Sequence, residues 1–245
     1  MCFDVDSSPP VAPIAGAAVS HDEPVLEARD GNRLAAFLAA PEEPPRTGIV
    51  VLPDVRGLYR FYEELALRIA ERGYAALAID YYGRTAGAET RGDDFDYVPH
   101  RDATTDEGVQ ADVAAAVAKL RELGCTSIFT LGFCFGGLRS WLAAASGHGL
   151  AGAIGFYGRT GVAAERASGM ACPILALQAG ADANISAADN AAFDAALDDA
   201  GVEHEVVTYD GAPHSFFDRK QEEFAEASDD AWRRALAFVE QHAAG

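Results

Sequence analysis

The stretch Gly132-Phe133-Cys134-Phe135-Gly136 restricts the possible folds of this chain more than any other. It follows an apolar, β-type run, Ser127 to Leu131, and precedes a helix-like run, Leu138 to Ala145. A nucleophile between two glycines, where a strand turns sharply into a helix, is the pattern of a nucleophile elbow. The glycines permit a turn so tight that other side chains would collide with neighbouring backbone. Residue 134 is then lifted to the end of the strand and the start of the helix. Unpaired N–H groups and partial positive charge at that end favour a thiolate. The usual elbow residue is serine, so cysteine narrows the choice. The competing reading of Cys134 is a buried structural thiol. What separates the two is whether the rest of the chain supplies a base and an orienting acid.

Strand-like and helix-like runs alternate from about residue 24 to the end. Runs 23–28 and 33–38 flank Asp30-Gly31-Asn32 as a hairpin. Strands are expected at 47–52, 75–79, 127–131, 151–156, 173–178 and 203–209. Helices are expected at 62–72, 105–123, 186–200 and 228–242, several closed by a glycine. Residues 81–101, rich in Gly, Asp and Tyr, read as a long irregular segment. The pattern predicts an α/β domain over residues 21–245, with a mainly parallel sheet of about eight strands and helices on both faces. Residues 1–20 are Pro/Ala-rich and lack a basic start and a continuous apolar core, so they are expected to form an arm rather than a signal peptide.

Net charge is −19 over 245 residues, and the two lysines are Lys119 and Lys220. Nucleic acid needs a positive footprint and is excluded as a partner. No run reaches 18 apolar residues, so no membrane partner is expected. An anionic substrate would be repelled at long range, and local arginines would have to overcome that field. The cysteines, Cys2, Cys125, Cys134 and Cys172, show neither close pairing nor zinc-ligand spacing. Cys125 and Cys172 open apolar runs and are expected in the core. A working thiol needs reducing surroundings, which points to the cytoplasm.

In an open α/β sheet, ligands sit beyond the carboxyl ends of the strands. Asp182 lies four residues past the run ending at Gln178, and His214 lies just past the run ending at Tyr209. The chain order is nucleophile, acid, histidine, as in α/β-hydrolases. His214 would take and return the proton, while Asp182 would hold the imidazole tautomer. The other histidines lack such placement, although His100 lies in the irregular segment where a substrate contact is conceivable. A non-catalytic binding module should lose triad members, and a thiol redox sensor should carry a resolving cysteine; neither fits.

With these residues in view, the chain resembles the dienelactone hydrolase family, cysteine-nucleophile members of the α/β-hydrolase fold. The matching segments are 132–137, Gly155-Phe156-Tyr157-Gly158, Gly180-Ala181-Asp182 and His214-Ser215-Phe216, with support from 74–82. The resemblance implies a triad of Cys134, Asp182 and His214. It implies oxyanion donors at the backbone N–H groups of Phe135 and Val55. It also implies an acidic residue near the thiol that governs its ionisation. That position holds Asp54, where the family uses a longer glutamate. Tyr157 and Ser215 fall in the family's substrate pocket. The family binds its substrate carboxylate with arginines, one of them shortly after the catalytic histidine. Here the candidates are Arg56, Arg84, Arg91, Arg101 and Arg219. The implied activity is opening of a small-molecule ester or lactone, first of all dienelactone to maleylacetate, with no cofactor and no metal. Broader carboxylesterase or thioesterase activity is the alternative, and the oligomeric state is left open.

Overall fold

The computed structural model describes residues 3, 4 and 6–244, so Cys2 and part of the expected arm lie outside the described residues. The strands are β1 (Val19–Asp22), β2 (Val25–Glu27), β3 (Arg33–Pro41), β4 (Thr47–Leu52), β5 (Ala75–Ile79), β6 (Ser127–Phe133), β7 (Gly152–Phe156), β8 (Ile174–Ala179) and β9 (His204–Tyr209). The helices are α1 (Arg60–Ala70), α2 (Gly83–Ala86), α3 (Val98–Asp102), α4 (Asp106–Glu122), α5 (Phe135–Ala144), α6 (Thr160–Ala164), α7 (Ala187–Ala200) and α8 (Ala225–His242).

The strands form one sheet in the order β1-β3-β5-β4-β6-β7-β8-β9, with β2 paired to β3. Pairings from β5 through β9 are parallel; β1, β2 and β3 join antiparallel. Strands β4, β5, β6, β7 and β8 are buried along their whole length, as a sheet covered on both faces requires. Phe61, Leu65 and Ile69 of α1 and Phe238 and Val239 of α8 cover one face. On the other face, Val113 and Leu120 of α4 form one cluster. Trp141 of α5 with Phe193 and Leu197 of α7 form the next. The chain runs outward from β4 to β5 and then returns to place β6 on the other side of β4. This reversal opens a crevice at the carboxyl ends of β4 and β6, where ligands of open α/β sheets lie.

The expected hairpin forms, with Leu26 opposite Leu34. Ser186 caps α7 through a capping box and Gly201 closes it in the left-handed region. The stretch 81–101 contains two single-turn helices, α2 and α3, too short to show a period. β1 begins at Val19, so the expected boundary at 20/21 cuts a strand. The segment before it is not loose. The Phe3 ring stacks on Phe61 at 4.1 Å, the Ser7 hydroxyl donates to Asp218 at 2.6 Å, and the Arg219 N–H donates to the Ser8 carbonyl at 3.1 Å.

Two glycines of the elbow are fixed by contact. A Cβ on Gly132 would sit 2.0 Å from the Gly136 carbonyl oxygen, and one on Gly136 would sit 2.1 Å from the Leu52 oxygen. Both obstacles are backbone and cannot swing away. Gly136→Ala should therefore cost about 3 kcal/mol or more in a denaturant titration, since overpacking against fixed atoms adds to strain. A loss under about 1 kcal/mol would mean that the strand-to-helix crossing is looser than described.

Candidate active site

Cys134 stands at the junction of β6 and α5 with φ 55° and ψ −109°. A left-handed φ at a non-glycine residue stores strain of about 1–3 kcal/mol and is held only by its surroundings. Here the Cys134 N–H donates to the Phe156 carbonyl at 2.9 Å, while its own carbonyl accepts from Gly137 and Leu138. One layer below, the Ser140 hydroxyl donates to Thr130 at 2.8 Å and ties helix to strand. The thiol thus projects from a braced turn.

Base and acid arrive on the loops after β9 and β8. The Gly180 N–H donates to Tyr209 O at 2.8 Å and the Ala181 N–H to Ala212 O at 2.9 Å, which zips the two loops together. The buried Asp182 carboxylate then accepts from the Asn184 N–H at 2.8 Å through Oδ1 and meets His214 Nδ1 at 2.5 Å through Oδ2. Nδ1 is thereby the protonated nitrogen, and Nε2 is left for the thiol. Burial works against a charge on the ring. The hydrogen bond and charge of Cys134, then of Asp182, outweigh it and push His214 from 6.5 up to about 9. The Tyr157 ring packs 4.9 Å from the imidazole and fixes its plane.

Asp54 sits on the loop after β4 and is fully buried. Its Oδ1 accepts from the Arg56 N–H at 2.9 Å, and the Tyr59 hydroxyl donates to Oδ2 at 3.4 Å. Burial above all, and then the charge of Cys134, raise it from 3.8 to about 7 despite the Arg56 N–H. The shorter aspartate is therefore still within electrostatic reach of the sulfur. Side chains that sequence reasoning left unassigned hold this loop in place. The Tyr62 hydroxyl accepts from the Asp54 N–H at 2.8 Å, the Tyr81 hydroxyl donates to Pro53 O at 2.9 Å, and that of Tyr82 to Val55 O at 2.5 Å. Asp80, buried and paired to Arg91 at 2.8 Å, accepts from the Leu58 N–H at 3.1 Å.

A cavity of about 620 Å³ opens over the thiol, with Val55, Phe135, Leu138, Tyr157, Ile185 and His214 around Cys134 and with Arg101, Arg139 and Arg159 at its wall. Of the expected substrate contacts, Arg101 and Tyr157 are at the cavity. The others are not. The Arg56 guanidinium turns back over the Tyr59 ring at 4.5 Å and toward Phe3 O. Arg84 is consumed by Asp30 and Asp112, each at 2.7 Å, under the hairpin. Arg91 is committed to Asp80. Arg219 lies against the N-terminal segment, and Asp218 occupies the position four residues after the histidine. Ser215 has φ 68° and is buried away from the lining. His100 stacks on Phe95 instead. Sequence reasoning missed Arg139 and Arg159. The spacing of Arg139 from Phe135, one helical turn, was the available signal. Cys125 and Cys172 are core thiols pushed up to about 11 by burial.

A strained elbow cysteine, a histidine after β9 and an acid after β8, at the carboxyl ends of a mostly parallel sheet, define an α/β-hydrolase. The chain matches the dienelactone hydrolase family over residues 34–243 and belongs to it; it is a hydrolase. It is 28% identical over 240 residues to a provisionally named carboxymethylenebutenolidase of Yersinia pestis, covering 86% of this chain and 85% of that one. A protein of the same provisional name from Saccharolobus solfataricus is 29% identical over 246 residues, with 86% and 95% covered. In fold, the chain is similar to a provisionally named dienelactone hydrolase from Klebsiella pneumoniae, with TM-score 0.79, 24% identity and 91% and 99% covered. It is likewise similar to a dienelactone hydrolase-like promiscuous phosphotriesterase from metagenomic libraries, with TM-score 0.78, 21% identity and 93% and 100% covered. Among the described residues no helix is long and apolar enough to cross a membrane.

The raised Asp54 has a thermodynamic signature. Folded protein keeps this proton up to about pH 7, whereas an unfolded chain releases it near 3.8. Between these values the folded state binds more protons, so stability falls as pH rises, by at most about 1.4 kcal/mol per pH unit. Asp54→Asn should leave stability nearly unchanged at pH 4, show a growing advantage toward pH 7, and hold it above. A pH-independent difference between the two unfolding curves would mean that Asp54 ionises as an ordinary carboxylate.

Proposed function

We propose that this hydrolase opens an ester or lactone through a cysteinyl acyl-enzyme, with Cys134 as nucleophile, His214 as acid and base, and Asp182 orienting the imidazole. The observation that supports it is that Cys134 and His214 line one cavity while the buried Asp182 carboxylate meets His214 Nδ1 from behind at 2.5 Å. The Cys134 proton passes to His214 and the sulfur attacks the carbonyl carbon. The oxyanion faces the N–H groups of Phe135, at the start of α5, and Val55. Collapse breaks the acyl–oxygen bond, and the imidazolium gives its proton to the departing oxygen. Water then attacks the thioester, His214 takes its proton, and the thiol is released. No step needs a metal or an organic cofactor, and none needs a nucleic acid or membrane partner.

Dienelactone is the first substrate, giving maleylacetate, because arginines at the cavity wall suit an anionic lactone. The apolar lining from Val55, Leu138 and Ile185 favours a second reading, a carboxylesterase or thioesterase acting on small neutral acyl groups. Asp54 acts on the resting thiol. A carboxylate in electrostatic contact disfavours the thiolate and protects it until substrate enters. A single α/β domain and a reducing, cytoplasmic setting belong to the same reading.

Mixing with an activated aryl ester should give a burst of product and an acyl adduct on intact-mass analysis. Cys134→Ala should lose both while remaining folded; activity within about tenfold of wild type would sink the cysteine mechanism. Asp182→Asn should lower kcat by several orders of magnitude through the wrong tautomer, on the order of 10⁴ in comparable triads. For Asp54→Ala, iodoacetamide alkylation at neutral pH should be faster and turnover of a true substrate slower. Superimposable alkylation–pH curves for mutant and wild type would remove Asp54 from the scheme.

A further inference from the structure

The segment that precedes β1 is built into the support of the triad. Phe3 is buried within it. Beyond its stack on Phe61, the Phe3 ring lies 6.4 Å from Tyr62, 6.5 Å from Phe133 and 6.4 Å from Tyr157. Each of these three serves a different part of the site. Phe133 directly precedes the nucleophile. The Tyr62 hydroxyl accepts from the Asp54 N–H, and the Tyr157 ring packs on His214. The Phe3 carbonyl also accepts from the Arg56 guanidinium at 3.4 Å. Edge and offset contacts between rings fix their planes as well as burying area.

A second attachment lies on the histidine side. The loop after His214 passes through Ser215 at φ 68° and then through the buried Phe216 and Phe217. A left-handed φ at a non-glycine residue needs outside support. Two hydroxyls supply it. That of Ser228 in α8 donates to the Phe216 carbonyl at 2.9 Å, and that of Ser7 donates to the Asp218 carboxylate at 2.6 Å. Ser7 and Asp218 are both buried, and a buried carboxylate that loses its donor is costly. Lys220 extends the seam by pairing with Asp4 and Asp6. Phe3 and Ser7 are also linked to each other through a turn. The Asp4 N–H donates to the Ser7 hydroxyl at 3.0 Å, and the Ser7 N–H donates to the Asp4 carbonyl at 3.1 Å.

We propose that Phe3 and Ser7 are positioning residues of this hydrolase, Phe3 acting on His214 through Tyr157 and Ser7 through residues 215–218. The N-terminal segment would then set how closely the imidazole meets the thiol. This rests on the thiol-hydrolase reading above. Proton transfer is sensitive to such placement, since a misplacement of about 1 Å costs up to about a hundredfold. The effect here should be smaller, because Asp182 still holds the ring. A segment that only covered apolar surface would alter stability and leave the chemical step untouched.

Kinetics on an activated aryl ester, well below the unfolding range, separate the two roles. Ser7→Ala removes one hydroxyl and leaves the packing; it should lower kcat about fivefold or more, with KM within about twofold. Phe3→Ala should lower kcat about tenfold, and Phe3→Leu should recover most of it by restoring apolar volume. The control for stability is Leu120→Ala, which packs over Gly48 near the amino end of β4, away from the site. It should lose stability yet keep kcat within about twofold. A kcat within about twofold of wild type in either Ser7→Ala or Phe3→Ala, or an equal fall in Leu120→Ala, overturns the proposal. Should wild type hydrolyse no ester, the hydrolase reading fails separately, and iodoacetamide alkylation of Cys134 then decides the positioning role. A displaced imidazolium favours the thiolate less, so alkylation slowed about threefold or more in Ser7→Ala supports it, and an equal rate overturns it.

Discussion

The close crossing of α5 over the ends of β4 and β6 is the constraint on which the rest of the site depends. Gly132 and Gly136 bring backbone to within a distance that no Cβ tolerates. The same crossing forces Cys134 to φ 55°, with its N–H held by the Phe156 carbonyl. Strain of this kind persists only where surrounding structure over-determines it. The buried strands on either side, and the Thr130–Ser140 hydroxyl pair beneath, provide that rigidity. The thiol's direction is therefore a property of the sheet rather than of the cysteine.

Around that fixed point the electrostatics are arranged by burial. His214 and Asp54 are both shifted upward, but for opposite reasons. His214 gains from the negative partners Cys134 and Asp182 in spite of burial, whereas Asp54 is raised by burial and then by Cys134. Asp54 is thereby moved toward neutrality, as proton transfer near neutral pH favours, whereas His214 is moved above it. The cost in stability falls on Asp54, whose ionisation burial opposes as pH rises, whereas the raised His214 contributes stability that is lost only as pH climbs toward about 9. Loop contacts from Tyr62, Tyr81, Tyr82 and Asp80 keep Asp54 and Val55 from relaxing away.

The acidic surface and the arginine-lined cavity are also linked. A net charge of −19 maintains solubility but repels anions. Screening at physiological salt shortens that repulsion to about 8 Å. Within this range the nearby guanidinium groups dominate what a ligand in the cavity feels. The surface thus sets the long-range field and the cavity sets the local one, without contradiction.

Local sequence determined much of this protein. The alternation of apolar runs specified β4, β5 and the parallel order of units, because strand and helix periods are short-range properties. The elbow, and the positions of Asp182 and His214 just past strand ends, could be read in the same way, since chain order and spacing are linear. Tertiary structure alone decided which cations face the thiol. Arg84, Arg91 and Arg219 were plausible by position, yet Arg84 is bound to Asp112, Arg91 to Asp80, and Arg219 lies exposed outside the cavity lining. Arg139 lay unnoticed within a helix whose inward side was unknown until α5 packed on β6 and β7. The ordering of the N-terminal segment was equally hidden, for it depends on Phe61 and Asp218, which only folding brings to it. Where a side chain's partner is set by local period, the sequence suffices; where it is set by which loops the sheet brings together, only the fold decides.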